Sequence, residues 1–363
     1  MLVDSVELVD FRNYVELSIS LTAGTTAILG RNGQGKTNLA EAISFLATLE
    51  SFRGAPNEAL VRRGADRAYV RAEVVDDDGR RSLIECEIAR SGPSRVQVNR
   101  QRLPRTRDLL GVIRTSVFSP DDLVLVKGSP GERRRFLDVT LTALATRNDA
   151  LRRDLDRAIR QRNVLLRQSG GRLDEASAVT LDVWDGRMAE LGDRMGVERD
   201  ELIERLQPLV AEAYSRLAGV EAEVSLDYDP EWRRIGLGEA LARSRQDDLR
   251  RGVSTVGPHR DDVELSLANM PARTHASQGE QRTLALALRL AAHRLVAERV
   301  GSTPILVLDD VLSELDDGRA TALLADLPAG QIVITSASPL PEAARPERLI
   351  FIVEGEIGDL TTD

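Results

Sequence analysis

Apolar and polar positions alternate over the first twenty residues. Val3, Val6 and Leu8, then Leu17, Ile19 and Leu21, predict an opening β-hairpin. The run Thr25–Leu29 predicts a short buried strand. A glycine-rich turn follows, and from Lys36 to Leu49 the spacing becomes helical. Alternation returns at 68–75, 82–89 and 94–98, with an Asp-Asp-Asp-Gly turn signal at 76–79. Val112–Ser119 predicts a further buried strand.

The period changes near Gly131. From there to about Leu217 the only proline is Pro208, and strand patterns fade. Leu151, Leu155 and Ile159 recur every four residues. After Ser-Gly-Gly at 169–171, Leu181, Trp184, Met188, Leu191 and Met195 alternate threes and fours, followed by Leu202, Leu206 and Leu209. The pattern predicts a helical hairpin, an arm of about 45–60 Å at 1.5 Å per residue; a compact helical subdomain is the competing reading. Residues 253–363 return to α/β. Gly279–Val300 predicts a long amphipathic helix, and Ile305–Leu308, Ile332–Ile334 and Leu349–Val353 predict strands, the first two of the kind buried on both faces of a parallel sheet. Three segments result: 1–130, 131–252 and 253–363.

Composition narrows the class. The chain has 363 residues, 42% of them hydrophobic and 29% charged, as in ordinary folded proteins, so disorder is excluded. One cysteine, Cys86, excludes a disulfide scaffold and a thiolate zinc cluster, and fits a reducing, cytoplasmic setting. No apolar run approaches the ~20 residues of a membrane span, and the acidic, alternating N-terminus is unlike a signal peptide. The net charge of −9 lies entirely in residues 303–363, so the rest is neutral and leaves room for a local basic patch. Of 49 cations only Lys36 and Lys127 are lysines. Codon preference accounts for the arginine excess, but a site that needs a slim ammonium cannot use a guanidinium.

Lys36 falls where that need is greatest. Gly30-Arg31-Asn32-Gly33-Gln34-Gly35-Lys36-Thr37 matches G-x-x-x-x-G-K-[ST] between a strand and a helix. Glycines let backbone N–H groups close around phosphate, and the helix adds its positive end. Lys36 would reach the β- and γ-phosphates and Thr37 would bind Mg²⁺. The apolar strand that ends in Asp309-Asp310 supplies the partner acids. Asp309 would hold Mg²⁺ through its water shell, and Asp310 stands where a general base or water-orienting group belongs. Ser277-Gln278-Gly279-Glu280 opens the long helix; it is both a capping box and a second anion contact of Ser hydroxyl, Gly amide and helix end. This segment resembles the signature of ABC ATPases, and Ser313-Glu314-Leu315-Asp316 resembles their D-loop. In such ATPases the signature meets the γ-phosphate held by a second subunit, which implies a head-to-tail dimer closed by ATP.

The P-loop and signature are about 240 residues apart with helices between, so the fold class expected is α/β, a split ABC-type P-loop ATPase head with an inserted α-helical hairpin arm. Heads split in this way resemble the structural-maintenance-of-chromosomes group. Asp10-Phe11-Arg12-Asn13-Tyr14, Ser119-Pro120-Asp121-Asp122-Leu123, Val126-Lys127-Gly128-Ser129-Pro130, Arg133-Arg134-Arg135-Phe136-Leu137-Asp138 and Gly257-Pro258-His259-Arg260-Asp261-Asp262 together resemble the RecF family of bacterial recombination mediators. The resemblance runs along essentially the whole chain. It implies an ATP-dependent DNA-binding protein that helps load recombinase at single-strand gaps and junctions, acts in repair, replication and the SOS response, and works with RecR and RecO. It also adds Arg12 and Asn13 to the nucleotide-binding candidates.

Some features depart from ABC ATPases. Asp310 replaces the usual Glu and is one methylene shorter, which implies slow hydrolysis. No Q-loop glutamine is evident. No histidine follows Ile332–Ile334, and Thr335 or Ser336 is the substitute candidate for sensing the γ-phosphate. Residues 131–168 carry ten Arg against five acids, the most basic stretch. Arg133, Arg134, Arg135, Arg152, Arg153 and Arg160 are the candidates for duplex phosphate contact; nearly absent aromatics argue against a stacking platform. Two other readings compete. A transporter ATPase subunit is opposed by the arm and the missing histidine, and a head of a chromosome-organising complex by the arm's shortness.

Overall fold

The computed structural model describes residues 1–358, so the last five residues of the expected C-terminal segment lie outside it. The chain opens with β1 (Leu2–Phe11), β2 (Tyr14–Ser20), β3 (Thr25–Leu29), α1 (Lys36–Thr48) and the single turn α2 (Asn57–Leu60). Then come β4 (Arg67–Val75), β5 (Arg81–Ala89), β6 (Arg95–Val98), β7 (Gln101–Arg102) and β8 (Thr115–Phe118). A largely helical stretch follows: α3 (Val124–Lys127), α4 (Pro130–Leu144), α5 (Arg147–Gln168), α6 (Glu175–Ala218), β9 (Val224–Asp227) and α7 (Leu237–Arg251). The chain continues through β10 (Glu264–Leu267), β11 (Met270–Pro271), α8 (Ala272–His275), α9 (Gln278–Val300), β12 (Ile305–Asp309), α10 (Asp317–Asp326), β13 (Ile332–Ser336), β14 (Arg348–Val353) and β15 (Glu356–Gly358). No described helix is long and apolar enough to cross a membrane.

Two compact units emerge. The first holds residues 1–122, 213–220 and those from 285 onward; the second holds 123–212 and 221–284.

The first unit is built on two six-stranded sheets. One is antiparallel in the order β2-β1-β4-β5-β6-β7. Its strands alternate buried and exposed positions because one face meets the core and the other meets water; β4 runs eBiBiBeBi from exposed (e) to buried (B). The other has the order β15-β14-β3-β13-β12-β8, and all its pairs but β14–β15 are parallel. All five residues of β12 are buried, as its continuous apolar run requires. Helix α1 packs on β1 of one sheet and on β8, β12 and β13 of the other, and ten of its thirteen residues are buried. Val6, Phe11, Leu39, Ile43, Val70, Ile305 and Ile352 share one core around it.

The second unit corrects the expectation of a long arm. The hairpin turn falls at Ser169–Gly171 as predicted, but α5 has only 22 residues, about 33 Å. Helix α6 has 44. The remainder of the unit folds onto the pair. Gly192 and Gly196 on α6 leave room that a Cβ would fill, 2.2 Å from Leu237 and 2.8 Å from Trp232. A glycine in a helix costs about 1 kcal/mol against alanine, which this close approach offsets. A buried ion network completes the closure. Arg162, fully buried, donates to Asp185 at 2.5 Å, to Asp248 at 2.6 Å and to Ser254 at 2.9 Å, joining α5, α6, α7 and the loop beyond. A three-stranded sheet, β11-β10-β9, is added. The unit is therefore nearer a compact helical subdomain than an extended hairpin.

Candidate functional site

Tyr14 and Asn13, which follow β1, hold the loop between β3 and α1. The Tyr14 hydroxyl donates to the Gly35 carbonyl at 2.8 Å, and the Asn13 amide donates to the Gln34 carbonyl at 3.1 Å. Asn38 in turn donates to Asn13 at 2.7 Å. Burial raises the Tyr14 pKa, so the hydroxyl keeps its proton. Gly30, Gly33 and Gly35 have φ of 153°, 82° and 118°, in the region that favours glycine. A Cβ on Gly30 would lie 2.3 Å from the Ile352 carbonyl oxygen. Lys36 is 5% exposed, and its Nζ donates to the Arg31 carbonyl at 2.9 Å across the loop. Burial lowers its pKa, and Asp310 and Asp309 oppose that shift.

Three adjacent strands bring the acids to the same end of the parallel sheet. β13 lies between β3 and β12. Asp309 ends β12, is 5% exposed, and accepts from Thr335 of β13 at 2.7 Å. Burial pushes its carboxyl above the usual range, while hydrogen bonds from Thr335 and Thr37 pull the other way. Thr37 and Asp309 thus meet directly. Asp310 has φ of 55°, an uncommon left-handed conformation for a residue with a side chain. Its N–H donates to both the carbonyl and the hydroxyl oxygen of Thr335 at 3.1 Å, and Ser313 donates to its carboxylate at 3.0 Å. Thr335 is therefore a strut between the two acids. The Ser336 hydroxyl instead donates to the Ser338 carbonyl at 2.7 Å.

The structure gives Arg12 a different task from the expected nucleotide contact. Its guanidinium donates twice to Glu41, at 2.7 Å each, and to the Ala59 carbonyl at 2.9 Å. Glu41 is fully buried in α1 and also accepts from Ser51. Arg12 braces α1 and the loop after it. Glu41 escaped the sequence reading because an acid inside an apolar helix gives no sign of its partner.

The signature segment belongs to the second unit. Ser277 and Glu280 form the reciprocal capping box: the Ser277 N–H donates to the Glu280 carboxylate at 2.7 Å, and the Glu280 N–H donates to the Ser277 hydroxyl at 3.3 Å. Gly279 is half-buried in the first turn.

The basic stretch divides. Arg133 is 7% exposed and is held by Asp262 through two bonds of 2.7 and 2.8 Å, so it is a packing cation, which corrects its assignment to a DNA face. Arg134 is half-buried and donates to the Asp261 carbonyl. Arg135 is half-buried as well. Arg152 lies between Asp149 and Asp156 on α5. Arg153 and Arg160 are exposed on the same helix.

Fold and site together define the class: a P-loop ATPase head of the kind found in RecF and chromosome-maintenance proteins. Residues 2–356 match the family model described as RecF/RecN/SMC N terminal domain. The chain is 45% identical over 354 residues to the DNA replication and repair protein RecF of Streptomyces avermitilis, covering 93% of this chain and 94% of that one. It belongs to the RecF family of DNA replication and repair proteins. The RecF of Cutibacterium acnes is 41% identical, with 96% of each chain covered. A solved structure of the recombination mediator protein RecF-ATP in the RecFOR pathway matches with a TM-score of 0.90 at 29% identity, covering 99% of this chain and 97% of that one. A structure of an Smc head bound to the C-winged helix domain of ScpA shares the fold, with a TM-score of 0.59 at 17% identity over 98% and 96% of the two chains.

Proposed function

We propose that the chain binds ATP at Gly30–Thr37 and closes as an ATP-dependent homodimer on double-stranded and gapped DNA. In this reading it helps load recombinase at gaps and junctions in the cytoplasm, together with RecR and RecO. The observation that carries it is the meeting of Lys36, Thr37, Asp309 and Asp310 at the carboxyl ends of neighbouring parallel strands. The Thr37 hydroxyl and Asp309 carboxylate form an oxygen donor set suited to Mg²⁺, which would supply charge neutralisation at the phosphates. Lys36 binds the β- and γ-phosphates, and Asp310 orients water. The bonds to Thr335 and Ser313 hold Asp310 in place, and its short side chain keeps turnover slow. Residues 1–130 and 253–363 form the head, and 131–252 the helical insertion. Ser277, Gly279 and Glu280 meet the γ-phosphate of the second copy. The exposed Arg153 and Arg160, with Arg152, contact duplex phosphates.

Light scattering with ATP, with ADP and without nucleotide, each with and without gapped duplex DNA, tests this. The mass doubles with ATP alone, and Lys36→Arg removes the doubling. Equal dimerisation with and without ATP would overturn the reading.

A further inference from the structure

The segment Gly257–Asp262 has no part in the proposed nucleotide site. Inside the second unit its acids organise packing. Asp261 is 5% exposed and accepts from the Tyr228 hydroxyl at 2.6 Å and the Trp232 indole at 2.7 Å, while Asp262 holds Arg133. The same segment forms one wall of a cleft of about 720 Å³, which is the size of an ordinary ligand pocket. Trp232, Val256 and Leu265 contribute apolar surface to it.

The charge of the cleft is unbalanced. Six carboxylates line it against three guanidiniums, and one of the three, Arg133, is already bound to Asp262. Asp227 of β9 and Glu264 of β10 are both exposed and directly opposite in the strand register. Neither has an ion pair among the described residues. Like charges facing each other across a strand pair destabilise a sheet. This arrangement gains free energy when a cation arrives from outside.

The cation is not a metal ion, because among the described residues no three carboxylates or histidines converge on one point. Nucleic acid is opposed by the excess of carboxylates. A strand added to β9 is also opposed. The Gln207 side chain already occupies that backbone, donating to the Val224 carbonyl and accepting from the Leu226 N–H, both at 2.6 Å. Recognition must run through side chains.

We propose that this cleft docks a segment of a partner protein that carries an arginine or lysine beside an apolar side chain. The cation is taken by Asp227 and Glu264, and the apolar group by the surface of Trp232, Val256 and Leu265. The proposal does not rest on the nucleotide site.

The test uses the full chain and a fluorescein-labelled hexapeptide, Ala-Leu-Arg-Leu-Arg-Ala, followed by anisotropy at about 150 mM salt, where long-range attraction is screened. The expected result is saturable binding that weakens by about tenfold or more in the double variant Asp227→Asn/Glu264→Gln, as for loss of a charge-assisted contact. The variant should melt no lower than the parent, because it loses a like-charge pair, and should keep ATP-dependent dimerisation. Equal binding by parent and variant, no saturable binding by the parent, or displacement of the peptide by duplex DNA would each overturn the proposal. Dimerisation read in the same samples separates its failure from failure of the ATP reading.

Discussion

At the residue scale the interior of this protein is unusually rich in ion pairs made by arginine. Arg162 is the deepest: fully buried, it answers Asp248, which is also fully buried, and Asp185. Removing one partner of such a pair strands the other's charge, which costs about 3–5 kcal/mol. Arg162→Ala should therefore lower stability by that amount in urea titration, whereas an exposed change such as Arg250→Ala should stay within about 0.5 kcal/mol. Two buried histidines make a separate prediction. Burial holds His259 and His293 down at about 4. Below the usual histidine range the unfolded chain takes up protons that the folded chain refuses. Their contribution to stability is therefore intact near neutrality and is lost as pH falls from about 6.5 to 4, by about 1.4 kcal/mol per pH unit for each group. Urea midpoints of the parent and His293→Leu across that window should differ in slope by one proton. Parallel profiles would exclude the assignment for His293.

At the scale of elements the turn between β3 and α1 joins local and tertiary demands. Gly35 needs its φ of 118° to start α1, and a Cβ there would lie 2.7 Å from the Asn13 amide and 2.8 Å from the Tyr14 hydroxyl. Gly35→Ala combines backbone strain of about 1–3 kcal/mol with loss of the clamp on the loop. Its expected outcome is loss of ATP binding in calorimetry with the fold retained by circular dichroism. Most elements of the first unit are legible in the sequence, because the hairpin, β3, α1 and the buried strands each have a period or an unbroken apolar run. Helices α5 and α6 and the glycine break between them are equally plain. What could not be read is how α6 is covered. Gly192 and Gly196 look like weak points in a helix until Leu237 and Trp232 are seen against them.

For the whole molecule, charge decides where DNA is met. The two exposed arginines of α5, Arg153 and Arg160, sit on a helix whose acids offset part of its charge. Arg153→Glu/Arg160→Glu should weaken duplex binding without regard to sequence. Because two phosphate contacts are lost, the slope of log K against log salt should become shallower by about 2. An unchanged slope would move the DNA face elsewhere. ATP-dependent dimerisation should be unaffected by this pair, which separates DNA affinity from closure.

The sequence alone determined the P-loop, the acidic strand end, the signature capping box and the α/β class. Each depends on residues close together in the chain, where spacing and chemistry are enough. Only the tertiary structure decided the roles of partners distant in sequence. It made Thr335 the strut of Asp309 and Asp310, turned Arg12 from a ligand candidate into the brace of Glu41, and buried Arg133 against Asp262, 129 residues away. An arginine in a basic run looks the same whether it faces water or a carboxylate. The difference is burial, which a one-dimensional pattern does not carry.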